Sequence, residues 1–291
     1  MVTGILLVDK PEGPTSHGVV SVTRKALGTR KVGHAGTLDP MATGLLVLGV
    51  GTATRLLTFL VGAEKTYTAT IRLGSSTVTD DAQGETVTVA NPAVLADISD
   101  VDIRDQVTAL TGTIEQRPSA VSAIKVDGQR AYDRVRAGDD VVLDARTVTV
   151  TRFDVHAIRR TPTAIDVDVT VDCSSGTYIR ALARDIGGAL GCGGHLTALR
   201  RTRVGPFSVD DACLPDAIDE SRLIAPARVA GQLFPTWSMS DAETTDIGHG
   251  KKVATSMSDA PLVAAVQADR LVAIVAVSNG VARVVTGFPH E

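Results

Sequence analysis

Two stretches of the sequence alternate between apolar and polar residues, and this alternation constrains the fold more than any other feature. In Lys65–Leu73, Tyr67 shares one side with Ala69, Ile71 and Leu73, and residues 164–172 repeat the pattern with isoleucine and valine. A period of two residues is typical of a strand with one buried face. Residues 178–190 instead show the helical period. The chain therefore combines strands with helices.

The order of these patterns favours an α+β fold over a doubly wound α/β fold. Helices separate some strand patterns, but hairpin signals such as Asp127-Gly128 separate others. We expect a mixed, largely antiparallel central sheet flanked by helices. Thr15 or Ser16 is expected to cap one helix, and Asp102 another.

The pattern changes near Pro235. Ser240 and Glu243 form a capping box for one short helix, and short apolar strands follow, with an Asn279-Gly280 turn before the last. One helix and four strands predict a small β-barrel domain at residues 235–291. Residues 1–234 form the larger domain.

Composition excludes several classes of protein. The 291 residues are 44% hydrophobic and 21% charged, which excludes disorder for most of the chain. A net charge of −4 excludes a basic coat but allows local basic grooves, such as residues 117–136 and 195–203. Three cysteines without C-x-x-C spacing favour the reducing cytoplasm over a disulfide framework. We expect no signal peptide and no membrane span.

The most unusual segment is G-H-A-G-T-L-D-P-M-A-T-G-L-L, at residues 33–46. Its glycines and proline predict an irregular, stiff loop that contains Asp39. Asp39 is either part of a simple Asp-Pro turn or a positioned carboxylate. A paired acid and base is not visible, because no other acid lies within ten residues. His34 and Asp39 are too few to bind a metal, and no phosphate-loop motif is present.

Five motifs together resemble the bacterial TruB family of tRNA pseudouridine synthases. They are K-P-x-G-x-T-S at residues 10–16, L-D-P-x-A-T-G at 38–44, K-T-Y-T-A at 65–69, G-T-Y-I-R at 176–180 and L-R-R-T-R-x-G-P-F at 199–207. The resemblance covers roughly residues 3–215. Departures are Val78 in place of an acid, and Ser119 and Val121 in the segment that follows residue 116.

The resemblance implies a pseudouridine synthase fold with a thumb-like insertion at about residues 116–147 and a PUA-like RNA-binding domain at 235–291. It implies that Asp39 is the catalytic carboxylate, with Arg180 as its partner and Tyr67 stacking on the target base and helping to remove its C5 proton. Asp39 would act either at the sugar C1′ or on a ribose proton, and both remain open. No cofactor and no metal are implied.

The base-binding residues are implied in the same way. His34 would fill the gap left by the flipped base, and Tyr178 and Leu199 would line the pocket with Tyr67. The partner would be the T-arm and T-loop of tRNA, with position 55 as the target, and a monomer would act in the cytoplasm without membrane, guide RNA or obligatory protein partner. An RNA-binding or tRNA-folding protein with an inactive pocket is the alternative, and folding of tRNA could also be a secondary role. A sugar-bond hydrolase is a remote option.

Overall fold

The computed structural model describes residues 2–119, 125–126, 129–130 and 143–289. It divides into two units, one of Met1–Val61 with Val204–Glu291 and one of Gly62–Arg203. Most of the predicted insertion at residues 116–147, including Arg134, Arg136, Val121 and the Asp127-Gly128 turn, lies outside the described residues. The short strands on either side of that turn are described, and they pair antiparallel.

The first unit begins with three antiparallel strands, and the central one of the three is buried. Its elements are β1 (Gly4–Lys10), α1 (Ser16–Ala26), β2 (Val32–His34), β3 (Thr43–Val50), a 3-10 helix (Gly51–Leu56) and α2 (Leu57–Val61). Both β1 and β2 pair with β3, whose apolar residues are almost fully buried because strands or helices cover them. Thr15 caps α1 by accepting a hydrogen bond from the Gly18 N–H, so one of its two expected caps is confirmed.

The second unit is built on longer strands. Its elements are β4 (Lys65–Leu73), β5 (Ser75–Thr77), β6 (Thr86–Val89), α3 (Pro92–Asp97), α4 (Asp100–Ala109), β7 (Gly112–Gln116), β8 (Lys125–Val126), β9 (Gln129–Arg130), β10 (Arg146–Arg160), β11 (Ile165–Cys173), α5 (Ile179–Ala189) and β12 (Gly194–Val204). The strand order is β12-β4-β11-β10-β7. The pairs β4–β11, β11–β10 and β10–β7 are antiparallel, which confirms the largely antiparallel α+β fold.

The predicted periodicities match this unit closely. The apolar faces of β4 and β11 are buried, and α5 buries Ile179, Leu182 and Ile186. The expected cap at Asp102 is wrong. Ser99 caps α4, and Asp102 is the third helical residue, whose carboxylate accepts from the Ser99 N–H at 2.8 Å. The reciprocal bonds of this capping box place the N-cap three residues before Asp102.

The last part of the first unit contains a second, separate sheet of five strands. The elements of this part of the chain are β13 (Phe207–Ser208), 3-10 helices (Val209–Asp211, Pro215–Ala217 and Glu220–Arg222), α6 (Pro226–Leu233), β14 (Thr236–Ser238), α7 (Asp241–Gly248), β15 (Val253–Ala254), β16 (Ala260–Gln267), β17 (Arg270–Ser278) and β18 (Val281–Gly287). The order β14-β16-β17-β18-β15 contains the four expected strands. It adds β14, which was not predicted from the sequence.

This second sheet contacts the beginning of the chain within the same unit. The ring of Phe234 packs edge-on against Phe59 at 5.4 Å between centroids, and Arg55 donates to the carbonyl of Gly287. The domain boundary at 234/235 and the PUA-like assignment stay predictions. No helix in the described residues is long and apolar enough to cross a membrane.

Candidate active site

The Asp39 loop connects β2 to β3 in the first unit. Gly36 and Gly44 adopt φ angles of 96° and 99°, in the left-handed region that favours glycine. Within the loop, the Ala42 N–H donates to the Asp39 carbonyl at 3.1 Å and closes a turn. Asp39 is half-buried, so its carboxylate is partly accessible.

The residue before Asp39 is held by a buried serine. Ser16 is 2% exposed, and its hydroxyl donates to the Leu38 carbonyl at 3.0 Å and accepts from the Leu38 N–H at 2.8 Å. One side chain therefore satisfies both backbone groups of Leu38. Such a contact removes freedom from the loop, because a buried backbone group without a partner is costly.

The residue after Asp39 is held by a buried lysine. The Lys10 ammonium is fully buried and donates to the carbonyls of Pro11, Pro14 and Pro40 at 2.8, 2.8 and 3.2 Å. The Gly13 N–H also donates to the Pro40 carbonyl, at 2.8 Å. Lys10 and Ser16 belong to the K-P-x-G-x-T-S motif, which thus holds the loop on both sides of Asp39. From the sequence, Lys10 had no assigned role and Ser16 was only a candidate helix cap, although their motif was visible.

His34 is the last residue of β2. It lies opposite Leu48 of β3 and is half-buried, at the point where the chain enters the Asp39 loop. The first unit therefore brings the catalytic candidate and one of the base-binding candidates onto the same connection.

Tyr67 lies on β4 in the second unit, opposite Val171 of β11. It is 7% exposed, and Lys65, two residues earlier, shares its side of the strand and is also buried. Burial and, to a smaller extent, the nearby charge of Arg201 together lower the pKa of Lys65 to about 8. The Lys65 ammonium donates to the Ala63 carbonyl at 2.7 Å.

Arg180 lies in the first turn of α5 and is 4% exposed. Its Nη1 donates to the Thr79 carbonyl at 2.5 Å and lies 3.6 Å from Oδ2 of Asp81. Asp81 is buried as well, and its Oδ1 accepts from the Thr79 hydroxyl at 2.6 Å and from the Gln83 N–H at 3.0 Å. The sequence analysis did not assign Asp81 a role. It lies in the same T-V-T-D-D segment as Val78, which was noted only as a departure.

A second ion pair lies beside this one. Asp80 adopts a φ of 59°, and its Oδ2 lies 3.4 Å from Nη1 of Arg184, one turn after Arg180 on α5. Burial raises the pKa of Asp80, while the charges of Arg184 and Arg180 act in the opposite direction. The two consecutive acids Asp80 and Asp81 thus hold two arginines of one helix.

Tyr178 is the residue that precedes α5 and is half-buried. The Gln116 side chain bonds both its N–H and its carbonyl, and the Arg146 guanidinium lies 4.9 Å from the centre of its ring. Leu199 lies on β12 and is 8% exposed. The second unit therefore contains Tyr67, Tyr178, Arg180 and Leu199, and the first contains His34 and Asp39.

The carboxylate of the first unit and the arginine of the second differ in the chemistry that they can perform. A half-buried carboxylate on a fixed loop can act on a sugar carbon or proton, and a buried arginine can stabilise negative charge. Among the described residues, no group of three histidines, cysteines or acids is placed to hold a metal ion. Cys173, Cys192 and Cys213 are buried and free, and burial raises the pKa of Cys173 to about 11.

Comparison with known proteins adds family matches along most of the chain. Residues 24–179 match the TruB family pseudouridylate synthase N-terminal domain, and residues 180–225 match the tRNA pseudouridylate synthase B C-terminal domain. The chain is 54% identical over 300 residues to tRNA pseudouridine synthase B of Arthrobacter sp. (strain FB24), covering 99% of this chain and 97% of the relative. It is 62% identical over 250 residues to the protein of the same name from Nocardia farcinica (strain IFM 10152), covering 85% and 81%.

Solved structures show the same fold at lower identity. A chain of a Cbf5-Nop10-Gar1 complex is 27% identical with a TM-score of 0.72, covering 98% of this chain and 85% of the other. A chain of an H/ACA RNP bound to a substrate RNA containing 2′-deoxyuridine is 25% identical with a TM-score of 0.71, covering 99% and 85%. These matches confirm the pseudouridine synthase fold expected from the motifs. Together with the relatives above, they show that the chain belongs to the TruB family of pseudouridylate synthases.

Proposed function

We propose that this protein isomerises the T-loop uridine of tRNA, at position 55, to pseudouridine, with Asp39 as the catalytic carboxylate. The observation that carries the proposal is the Asp39 loop, which Lys10 and Ser16 fix on both sides of the acid. It occurs in a chain that aligns with 97% of a relative named tRNA pseudouridine synthase B. A pure RNA-binding protein would not need a rigidly held carboxylate.

The reaction needs no net oxidation or reduction. The N1–C1′ bond of the uridine breaks, the uracil turns, a C5–C1′ bond forms, the C5 proton leaves and N1 takes up a proton. Asp39 acts either by attacking C1′ or by removing the C2′ proton, and Arg180 stabilises the negative charge in the pocket. The Tyr67 hydroxyl assists removal of the C5 proton, and its ring stacks on the base.

Binding of the flipped base is assigned to His34, Tyr178 and Leu199. His34 offsets part of the cost of unstacking the base, and Tyr178 and Leu199 line its pocket with Tyr67. Residues 1–234 carry the chemistry, with an insertion at about residues 116–147 that closes on the T-loop. Residues 235–291 form a PUA-like domain that adds binding to the T-arm.

We further propose that the protein works as a cytoplasmic monomer without a guide RNA or a protein partner. The solved relatives with 25–27% identity come from complexes that carry other components. The relatives with 54–62% identity are instead named for a single tRNA-modifying enzyme. Their names support tRNA itself as the substrate.

The test is release of tritium from tRNA labelled at C5 of uridine, with the purified protein alone. Only re-bonding through C5 frees that hydrogen, so the proposal predicts stoichiometric release from the wild-type tRNA and none from tRNA with cytidine at position 55. Tight binding of the tRNA without release would favour a binding or tRNA-folding protein. Release that depends on an added guide RNA or protein would contradict the stand-alone role.

A further inference from the structure

The two ends of the predicted insertion lie opposite each other in the second unit. The insertion was placed at about residues 116–147, and the antiparallel pair β7–β10 places Gln116 directly opposite Arg146. These two residues therefore form the neck through which the chain leaves the sheet and returns to it. Both side chains contact the same residue, Tyr178.

Gln116 holds the backbone of Tyr178. Its side chain is fully buried, its Nε2 donates to the Tyr178 carbonyl at 3.0 Å, and its Oε1 accepts from the Tyr178 N–H at 2.8 Å. Tyr178 precedes α5 and has no side-chain cap of its own. The glutamine amide thus replaces the peptide group of a neighbouring strand and fixes the position at which α5 begins.

Arg146 holds the ring of Tyr178. Its guanidinium carbon lies 4.9 Å from the ring centre, within the range of a cation–π contact. Its Nε and Nη2 are buried, and neither has a hydrogen-bond acceptor within the part of the chain that the structure describes. Buried donors without acceptors are rare because they are costly, so stability alone does not explain this placement.

A third contact joins the neck to the next turn of the helix. Nη2 of Arg184 donates to the Arg117 carbonyl at 2.7 Å, directly after Gln116. Arg180 lies between the two contact points on α5. The neck is therefore connected to α5 on both sides of the arginine assigned to the pocket.

We propose that Gln116 and Arg146 form a clamp that positions Tyr178 for the target base and couples the insertion to α5. Both are positioning residues, since they act through Tyr178 and Arg180. This inference rests on the proposed function and deepens it by assigning the neck a role in the catalytic step.

Gln116→Met keeps the length of the side chain and removes both hydrogen bonds. The single-turnover rate at saturating tRNA is expected to fall about 10- to 100-fold, because misplacement by about 1 Å has effects of that size. The Kd for tRNA is expected to stay within about threefold. Gln106→Met is the matched control, since Gln106 is half-buried on α4 and its change leaves the neck intact. It is expected to keep the wild-type rate.

Gln116→Glu separates positioning from general stability through its pH profile. A protonated carboxyl has the donor and acceptor of the amide, whereas a carboxylate repels the Tyr178 carbonyl. Burial is expected to raise the pKa of the introduced carboxyl. The rate of this variant relative to wild type at the same pH should therefore rise as the pH falls from 8.5 to 6. Arg146→Met should lower the rate more than Arg146→Lys, which keeps a cation beside the ring.

Hydrogen exchange tests the clamp without relying on activity. In folded Gln116→Met, residues 176–180 are expected to exchange faster, while residues 182–189 of α5 keep their protection. Unchanged exchange at residues 176–180 would overturn the clamp, even if the wild-type protein releases no tritium and the proposed function fails. A wild-type single-turnover rate for folded Gln116→Met would overturn its role in catalysis. A Gln116→Met variant that loses only tRNA affinity would also overturn the role of Gln116 in catalysis.

Discussion

The Asp39 loop and the beginning of α5 are held by the same device in different settings. In each, one buried polar side chain satisfies the N–H and the carbonyl of a single residue, Ser16 for Leu38 and Gln116 for Tyr178. In each, the residue assigned to the chemistry lies one or two positions further along, as Asp39 or Arg180. The molecule thus fixes the backbone beside each of the residues that we propose for the chemistry.

The difference lies in how far away the supporting residue is. Ser16 is 22 residues from Leu38, and it belongs with Lys10 to one short motif. Gln116 is 62 residues from Tyr178, and Thr79 is 101 residues from Arg180. The Asp39 loop is therefore a locally fixed element, whereas α5 depends on the neck of an insertion and on the segment around Asp81. We expect the loop to behave as a rigid support and the position of α5 to depend on these distant contacts.

The largest effect outside Asp39 is expected from Tyr67→Phe. The change keeps the ring, which is 7% exposed, so folding and tRNA binding should survive. If the hydroxyl helps remove the C5 proton, single-turnover isomerisation should fall by about two to four orders of magnitude. Thermal unfolding provides the control. Full turnover by folded Tyr67→Phe would show that the hydroxyl is not needed, so that Tyr67 would act only by stacking its ring on the base.

Asp81→Asn tests the support of Arg180 from the distant segment. The variant keeps the acceptor for the Gln83 N–H but removes the charge that lies 3.6 Å from Arg180. Turnover should fall about 10- to 100-fold, since a misplaced group costs about that much. Asp246→Asn is the control, because its ion pair with Lys251 is exposed. Equal turnover for Asp81→Asn and Asp246→Asn would show that Asp81 does not support Arg180 in catalysis.

A variant that ends at Phe234 tests the small C-terminal sheet. Its removal should raise the Kd for tRNA about tenfold, equivalent to about 1.4 kcal/mol, while the single-turnover rate at saturating tRNA is kept. The Arg55 contact with Gly287 is lost, so the variant is first checked for folding by circular dichroism. A folded variant that loses the rate itself would show that residues 235–291 are needed for catalysis.

Ser16→Ala should have the smallest effect on turnover, because Lys10 still holds the other side of the loop. The free energy of unfolding should fall by about 1–3 kcal/mol, since both backbone groups of Leu38 lose their partner. Ser21→Ala, at an exposed serine of the same helix, is the control and should change stability little. If Ser16→Ala lost more turnover than Asp81→Asn, the Asp39 loop would depend on its supporting contacts more than α5 does. That result would contradict the comparison.

Local sequence predicted the elements that local physics determines. The alternation in Lys65–Leu73 is a strand because one face is buried, and Thr15 caps α1 because its hydroxyl reaches the Gly18 N–H. The error at Asp102 has a local cause too, because the Ser99-x-x-Asp102 box starts the helix earlier. Strand β14 was missed because a three-residue strand is defined by its parallel partner β16, which lies far along the chain.

The residues of the candidate site also divide into those that local sequence predicts and those that it does not. The D-P loop and its supporting motif were both visible, although only their packing connects Lys10 to Pro40. The contacts of Gln116 and Asp81 could not be predicted, because an amide or a carboxylate in isolation gives no sign of a partner 62 or 99 residues away. Sequence reasoning thus found the residues assigned to the chemistry and missed those that hold them.

The most direct test of the central claim is Asp39→Asn in a single-turnover assay with C5-tritiated tRNA, with the Kd for tRNA measured in parallel. The variant keeps the shape of the side chain and removes its charge, and Asp105→Asn, at an exposed residue of α4, serves as the control. We predict that the rate falls at least a thousandfold, roughly 4 kcal/mol of barrier, while the Kd is nearly unchanged. An Asp39→Asn protein that keeps a tenth of the wild-type rate would contradict the assignment of the chemistry to this carboxylate.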